Sequence, residues 1–228
     1  MSIAKGGTSA TKFYLGDTEV TKIYKGDTLV YGSESPVLPY DAEVEYLQTD
    51  GTAYIDTGFI PNNIKPILET MIYKKSGITS SNYVVGSDGS GNTRFSIGFM
   101  SSNRIQLRIG SYKNFTYSTA QFYKVKLDSI TGQGYIDDVL VWTGTKNAAT
   151  STHPILLLSS TDSTGAVRTP LTGTRIAWCK IWDDTTLIAD YIPVRVGQVG
   201  YFYDKVTMTL KGNAAASGAF VLGADVGS

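Results

Sequence analysis

The chain has 228 residues, 42% of them hydrophobic, enough to give one large β domain or two modest ones a proper buried core. Its 20 Lys plus Arg match its 20 Asp plus Glu, and no local Lys/Arg cluster occurs, so the field that draws in nucleic acid or an anionic membrane is missing. Fifteen Tyr, eight Phe and three Trp among many Thr, Val and Ile favour strands, and 24 Gly supply turns, so the composition reads as all-β.

The start, MSIAKGGTSATKF, has no apolar signal region, and no apolar run approaches the length of a bilayer span, so neither secretion nor membrane insertion is expected. Then comes KFYLGDTEVTKIYKGDTLVYG, residues 12–32, which says nearly the same thing twice at an offset of ten residues. Each unit reads as strand, Gly-Asp turn and strand, with Phe13, Leu15, Val20, Ile23 and Val30 forming an apolar face. Some twenty residues cannot bury enough surface to stand alone, so this face is expected to dock, on a larger particle or on sister chains. The stretch GSESPVLPYD that follows reads as a linker. The expected organisation is a small β-hairpin repeat over 1–35, a linker over 36–41 and a β-sandwich over 42–228.

From Val44 to about Gly223, runs of four to eight residues alternate with period two between Gly, Asn, Asp and Ser clusters. Expected strands include VEYLQ, PILETMIYK, NYVVGS, RFSIGFM, RIQLRIG, FTYST, PILLLSS, RIAWCKIWDD and TLIADYIPVRV. Each such strand has one apolar face to bury, which predicts two antiparallel sheets packed face to face. Asp137-Asp138 and Asp183-Asp184 read as turn formers rather than paired catalytic carboxylates. Trp178 and Trp182 are four residues apart, which puts them on one strand face, and core packing is the expected role. Cys179, the only cysteine, reads as a buried structural thiol. His153, the only histidine, reads as a loop residue before a buried strand, which leaves a Ser/His/Asp triad without support. The Gly-rich SDGSGN at 87–92 is a turn, since neither a Lys-Ser/Thr ending nor a helix follows it.

Four segments in order, AEVEYLQTDGTAYIDTGF, GQGYIDDVLVW, the stretch from TGTRIAWCKIWDD to TLKGN, and GAFVLGADV, resemble the concanavalin A-like lectin/glucanase superfold in its laminin-G-like form. That resemblance implies a jelly-roll sandwich over roughly 42–226. The wording DYIPVRVGQVGYFYDKVTMTLKGN is similar to C-terminal segments of bacteriophage and prophage virion proteins, and the opening repeat resembles their N-terminal segments. It implies a virion fibre or appendage protein, made in the host cytoplasm, whose N-terminal part meets other virion proteins.

Glycoside hydrolases of this superfold present alternating carboxylates of the E-x-D-x-E kind on one strand. Here Glu43-Val44-Glu45 comes nearest and lacks the third, so a non-enzymatic protein is expected, with a glycan-degrading enzyme or a purely structural decoration as alternatives. Glycan binding needs aromatic faces for stacking and amides or guanidinium groups for the hydroxyls. The candidates are Tyr83, Asn92, Arg94, Tyr112, Asn114 and Tyr117, facing a host-surface glycan. No cofactor or metal site is expected; calcium, which laminin-G-like domains often bind, stays open through the loop carboxylates Asp88, Asp162 and Asp183. A homo-oligomer, with a trimer favoured, follows from the resemblance to fibres and from a repeat too small to make its own core.

Overall fold

The computed structural model describes residues 13–15, 18–20, 22–25, 28–31, 38–79, 81–89 and 93–227. The chain divides into two compact units, residues 1–38 and 39–228.

In the first unit, β1 (Phe13–Leu15) pairs with β2 (Thr18–Val20), and β3 (Ile23–Lys25) pairs with β4 (Thr28–Tyr31), both antiparallel. Leu15 pairs with Thr18 and Lys25 with Thr28, and the expected Gly-Asp turns between them lie outside the described residues. Of the expected docking side chains, Val20 and Ile23 are half-buried, and those of Phe13, Leu15 and Val30 lie outside the described residues.

The second unit runs through β5 (Ala42–Glu43), β6 (Leu47–Thr49), β7 (Ile55–Asp56), β8 (Pro66–Lys74), β9 (Asn82–Ser87), β10 (Phe95–Met100), β11 (Arg104–Ile109), β12 (Ser111–Thr116) and β13 (Gln121–Asp128). It continues through β14 (Gln133–Ile136), β15 (Val139–Thr143), β16 (Leu156–Leu157), β17 (Arg175–Asp183), β18 (Thr186–Val196), β19 (Val199–Asp204), β20 (Thr209–Lys211) and β21 (Phe220–Leu222). Two antiparallel sheets result. One has the order β12-β11-β10-β9-β16-β7; the other runs β15-β14-β13-β8-β17-β18-β19-β20, with β5, β6 and β21 pairing beside it.

Alternation explains the core. Phe95, Ile97 and Phe99 of β10 and Ile105, Leu107 and Ile109 of β11 enter it from the first sheet, and Leu68, Ile72, Val125, Leu127, Cys179 and Ile181 from the second. All of these are essentially sealed from solvent, so sheet on sheet buries the apolar face of every long strand, as expected of a jelly-roll-like β-sandwich. Cys179 sits in the middle of that core, and burial pushes its thiol pKa up, which leaves it unreactive.

Several local expectations need correction. VEYLQ is not one strand, because Val44 bridges to Asp225 and separates β5 from β6. FTYST is displaced: the chain turns at Gly110, whose φ is +66°, and β12 starts at Ser111 and holds Tyr112 and Asn114. Asp137 and Asp138, with φ of 51° and 64°, form the β14–β15 turn as expected. In the other pair only Asp184 turns, at φ 55°, while Asp183 makes the last rung with Thr186.

Candidate functional site

Strands β9 to β12 turn one face to the core, and the residues between the core positions face outward. Pairing lines these up in two rungs: Tyr83–Gly98–Gln106–Asn114, and Gly86–Ser96–Arg108–Tyr112. Tyr83 reaches this face because the register of β9 against β10 slips by one residue at Val84, so that Val84 and Val85 are both buried in the core and Tyr83 turns out. Its ring then packs against Gly98. A Cβ there would come within 2.8 Å of Tyr83 Cδ1, so glycine makes the room the ring occupies.

Guanidinium groups cover the ring from above. Arg108 stands 4.3 Å from the Tyr83 centroid and 5.5 Å from that of Tyr112, and Arg168 stands 5.1 Å from Tyr83. Both arginines converge on the carboxylate of Asp88, just past β9, whose side chain is only 2% exposed. Arg168 Nη2 donates to Asp88 Oδ2 at 3.0 Å and Arg108 Nη1 to the same oxygen at 3.4 Å. Arg94 Nε lies 2.7 Å from Asp88 Oδ1 but off the hydrogen-bonding angle, so that contact is ionic. Gln106 ties the rungs together: its Oε1 accepts from Arg108 Nε at 2.5 Å and from the Tyr83 hydroxyl at 3.3 Å, while its Nε2 donates to Asn114 Oδ1 at 2.8 Å. Burial lowers the pKa of Arg108 and raises that of Tyr83, which keeps the phenol neutral.

Of the expected ligand residues, Tyr83, Arg94, Tyr112 and Asn114 therefore meet on one face, and Asn92 lies outside the described residues. Tyr117 does not join them. It turns toward the core, edge-on to Tyr123 at 5.2 Å, and its carbonyl accepts from the buried Lys74 Nζ at 2.8 Å. Sequence reasoning missed Gln106, Arg108 and Arg168. The first two could have been found as the polar positions of RIQLRIG, whereas nothing local marks Arg168, which arrives from the loop after β16.

The three carboxylates left open for calcium do not gather. Asp88 is taken by three cations, Asp162 accepts from Thr164 and the Ala166 amide in its own turn, and Asp183 accepts from the Lys65 amide. Among the described residues no group of three or more His, Cys, Asp or Glu is placed to hold a metal.

The outer face of the other sheet is built differently. Trp178 and Trp182 stand there half-buried, a correction to the expected core packing. They do share a face, but Cys179 and Ile181 take the core positions of β17, and a register slip between Ile176 and Trp178 sends Trp178 outward opposite Met71. Two grooves of about 590 and 360 Å³ follow this face, the larger lined by Trp178, Glu43, Glu45, Glu69 and Asp190, the smaller by Trp182 and again Glu69. Its charges pair off: Lys124 with Glu69 at 3.0 Å and Asp138 at 2.7 Å, Lys180 with Asp190 at 3.5 Å.

No family model and no curated protein matches the chain. Among solved structures, one described as a "putative carbohydrate binding protein" from Bacteroides ovatus superposes with a TM-score of 0.54 at 11% identity, over 82% of this chain and 61% of that one. This chain thus spans less than two thirds of that structure, and at such identity the likeness is one of fold, a jelly-roll-like β-sandwich. The heptameric SAP-like pentraxin of Limulus polyphemus aligns over 67% of this chain and 73% of its own at 13% identity, with a TM-score of 0.36, too low to bear on the site.

Proposed function

We propose that this chain is a non-enzymatic binding protein that takes a saccharide on the outer face of its six-stranded sheet. The observation that carries this reading is the convergence of Tyr112, Asn114 and the Asp88-centred arginines on one sheet face, with Tyr112 55% exposed and the buried Gln106 holding Asn114 and Arg108 in place. An exposed ring flanked by an amide and guanidinium donors is what a sugar needs, a flat apolar surface for its C–H face and fixed polar groups for its hydroxyls. The fold shared with the Bacteroides protein supports the same reading. A glycan array probed with the intact protein tests it: Tyr112→Ala should weaken binding about tenfold while Trp178→Ala on the opposite sheet leaves it unchanged. The reverse pattern would move the site to the tryptophan face, and an array on which nothing binds would leave a structural decoration.

The N-terminal unit completes the proposal. Two short hairpins in a segment too small to bury much surface suit a docking element, and the resemblance of this segment and of DYIPVRVGQVGYFYDKV to phage virion proteins favours attachment to a phage fibre or appendage, as a trimer. Removing residues 1–35 should lower the mass in solution from oligomer to monomer; a monomer before and after overturns the self-association.

A glycan-degrading enzyme is the second reading, favoured by Glu43, Glu45 and Glu69 lining one groove beside Trp178. Sugar release from a polysaccharide panel that disappears in Glu45→Gln would replace the binding reading with this one.

A further inference from the structure

Three guanidinium groups around one buried carboxylate leave a local excess of two positive charges in a chain whose overall charge is zero. The excess is screened unevenly: the Asp88 and Arg108 side chains are 2% and 9% exposed, while those of Arg94 and Arg168, at 30% and 37%, reach solvent. It is also under-used. Each guanidinium carries five N–H donors, yet Arg108 donates only to Gln106 and Asp88, and Arg168 only to Asp88 among the described residues. Arg168 Nε is buried without a hydrogen-bond partner among the described residues. No second carboxylate enters from the outward positions of β9 to β12, which are Tyr, Gly, Ser, Met, Arg, Gln, Asn and Thr. Asp162, which lies near enough to Arg168 to feel its charge, is held by its own turn.

A structural ion cluster alone would be balanced, because an uncompensated buried charge is costly. Here Asp162 offsets part of the excess from a distance, and an anion bound beside Arg168 would offset more of it. We propose that the face recognises saccharides carrying a carboxylate or sulfate group, with the anion set between Arg108 and Arg168 and the sugar ring against Tyr112. The inference rests on the saccharide-binding reading above and names its ligand class. Arg168, at 37% side-chain exposure, is the reachable member and Arg108 the fixed one, so a planar or tetrahedral anion would replace the missing acceptors of both.

Affinity electrophoresis of the full chain through gels containing polygalacturonate, dextran sulfate or plain dextran tests this. Retardation by one or both anionic polymers and not by dextran is expected, with the carboxylate and sulfate arms showing which anion fits. Arg168→Gln should weaken that retardation about tenfold, with an unchanged melting temperature as the check on folding, and Lys211→Gln, on the other sheet, should not. Retardation by dextran alone sinks the anion proposal and leaves saccharide binding standing; no retardation by any polymer sinks both. Retardation by dextran sulfate that Lys211→Gln weakens as much as Arg168→Gln is diffuse ion exchange and also overturns the proposal.

Discussion

The two outward faces of the sandwich both combine cations, carboxylates and aromatic rings, but to opposite effect. On the eleven-stranded sheet, Lys124 and Lys180 pair with carboxylates beside half-buried tryptophans, and open grooves remain between them. On the six-stranded sheet, three arginines crowd one sealed carboxylate, and tyrosine rings lie under the guanidinium groups. Charge stoichiometry and burial, rather than composition, separate the two. A balanced exposed pair has little left to offer a ligand, while a buried excess of one sign keeps its donors oriented and strong.

The sharpest way to break this contrast is to remove one ion pair from each face. Asp88→Asn leaves three guanidinium groups facing one another with no counter-charge and should cost about 3–5 kcal/mol in denaturant unfolding. Lys124→Ala, which removes two partly exposed pairs on the other sheet, should cost about 1 kcal/mol or less. Equal losses would show that the two faces are electrostatically alike. A smaller effect sharpens the contrast at the rim of the tryptophan face, where Tyr40 donates to Glu43 at 3.2 Å. Burial, aided by Glu43, pushes the Tyr40 phenol up to about 12 from 10.0. The folded state therefore holds a proton that the unfolded state has lost between those values, and the stabilisation, full below pH 10, fades as pH rises toward 12. Unfolding midpoints at pH 9 and 11.5 should fall less steeply in Tyr40→Phe than in the native chain; parallel slopes would refute the coupling.

Much of the fold was legible because it follows from local chemistry. Period-two alternation marked NYVVGS, RFSIGFM and RIQLRIG to within a residue, and the Asp137-Asp138 turn announced itself through two residues that tolerate positive φ. Part of the candidate site was legible too, in so far as Tyr112, Asn114 and Arg94 are polar or aromatic residues next to apolar runs. Arg168 was not, since it lies 80 residues from Asp88 and meets it only through the loop after β16.

What the sequence by itself determined is the alternation: which residues on each strand stand together on a face, and hence that two sheets must close on one another. Which face each aromatic takes was decided by tertiary structure. A one-residue slip at Val84 turns Tyr83 out to its arginines, and another at Ala177 turns Trp178 out of the core. Side-chain direction flips with every residue, so a single bulge reverses everything beyond it. Its position depends on the partner strand, where Gly98 or Met71 receives the displaced ring, and no local pattern in β9 or β17 records that partner.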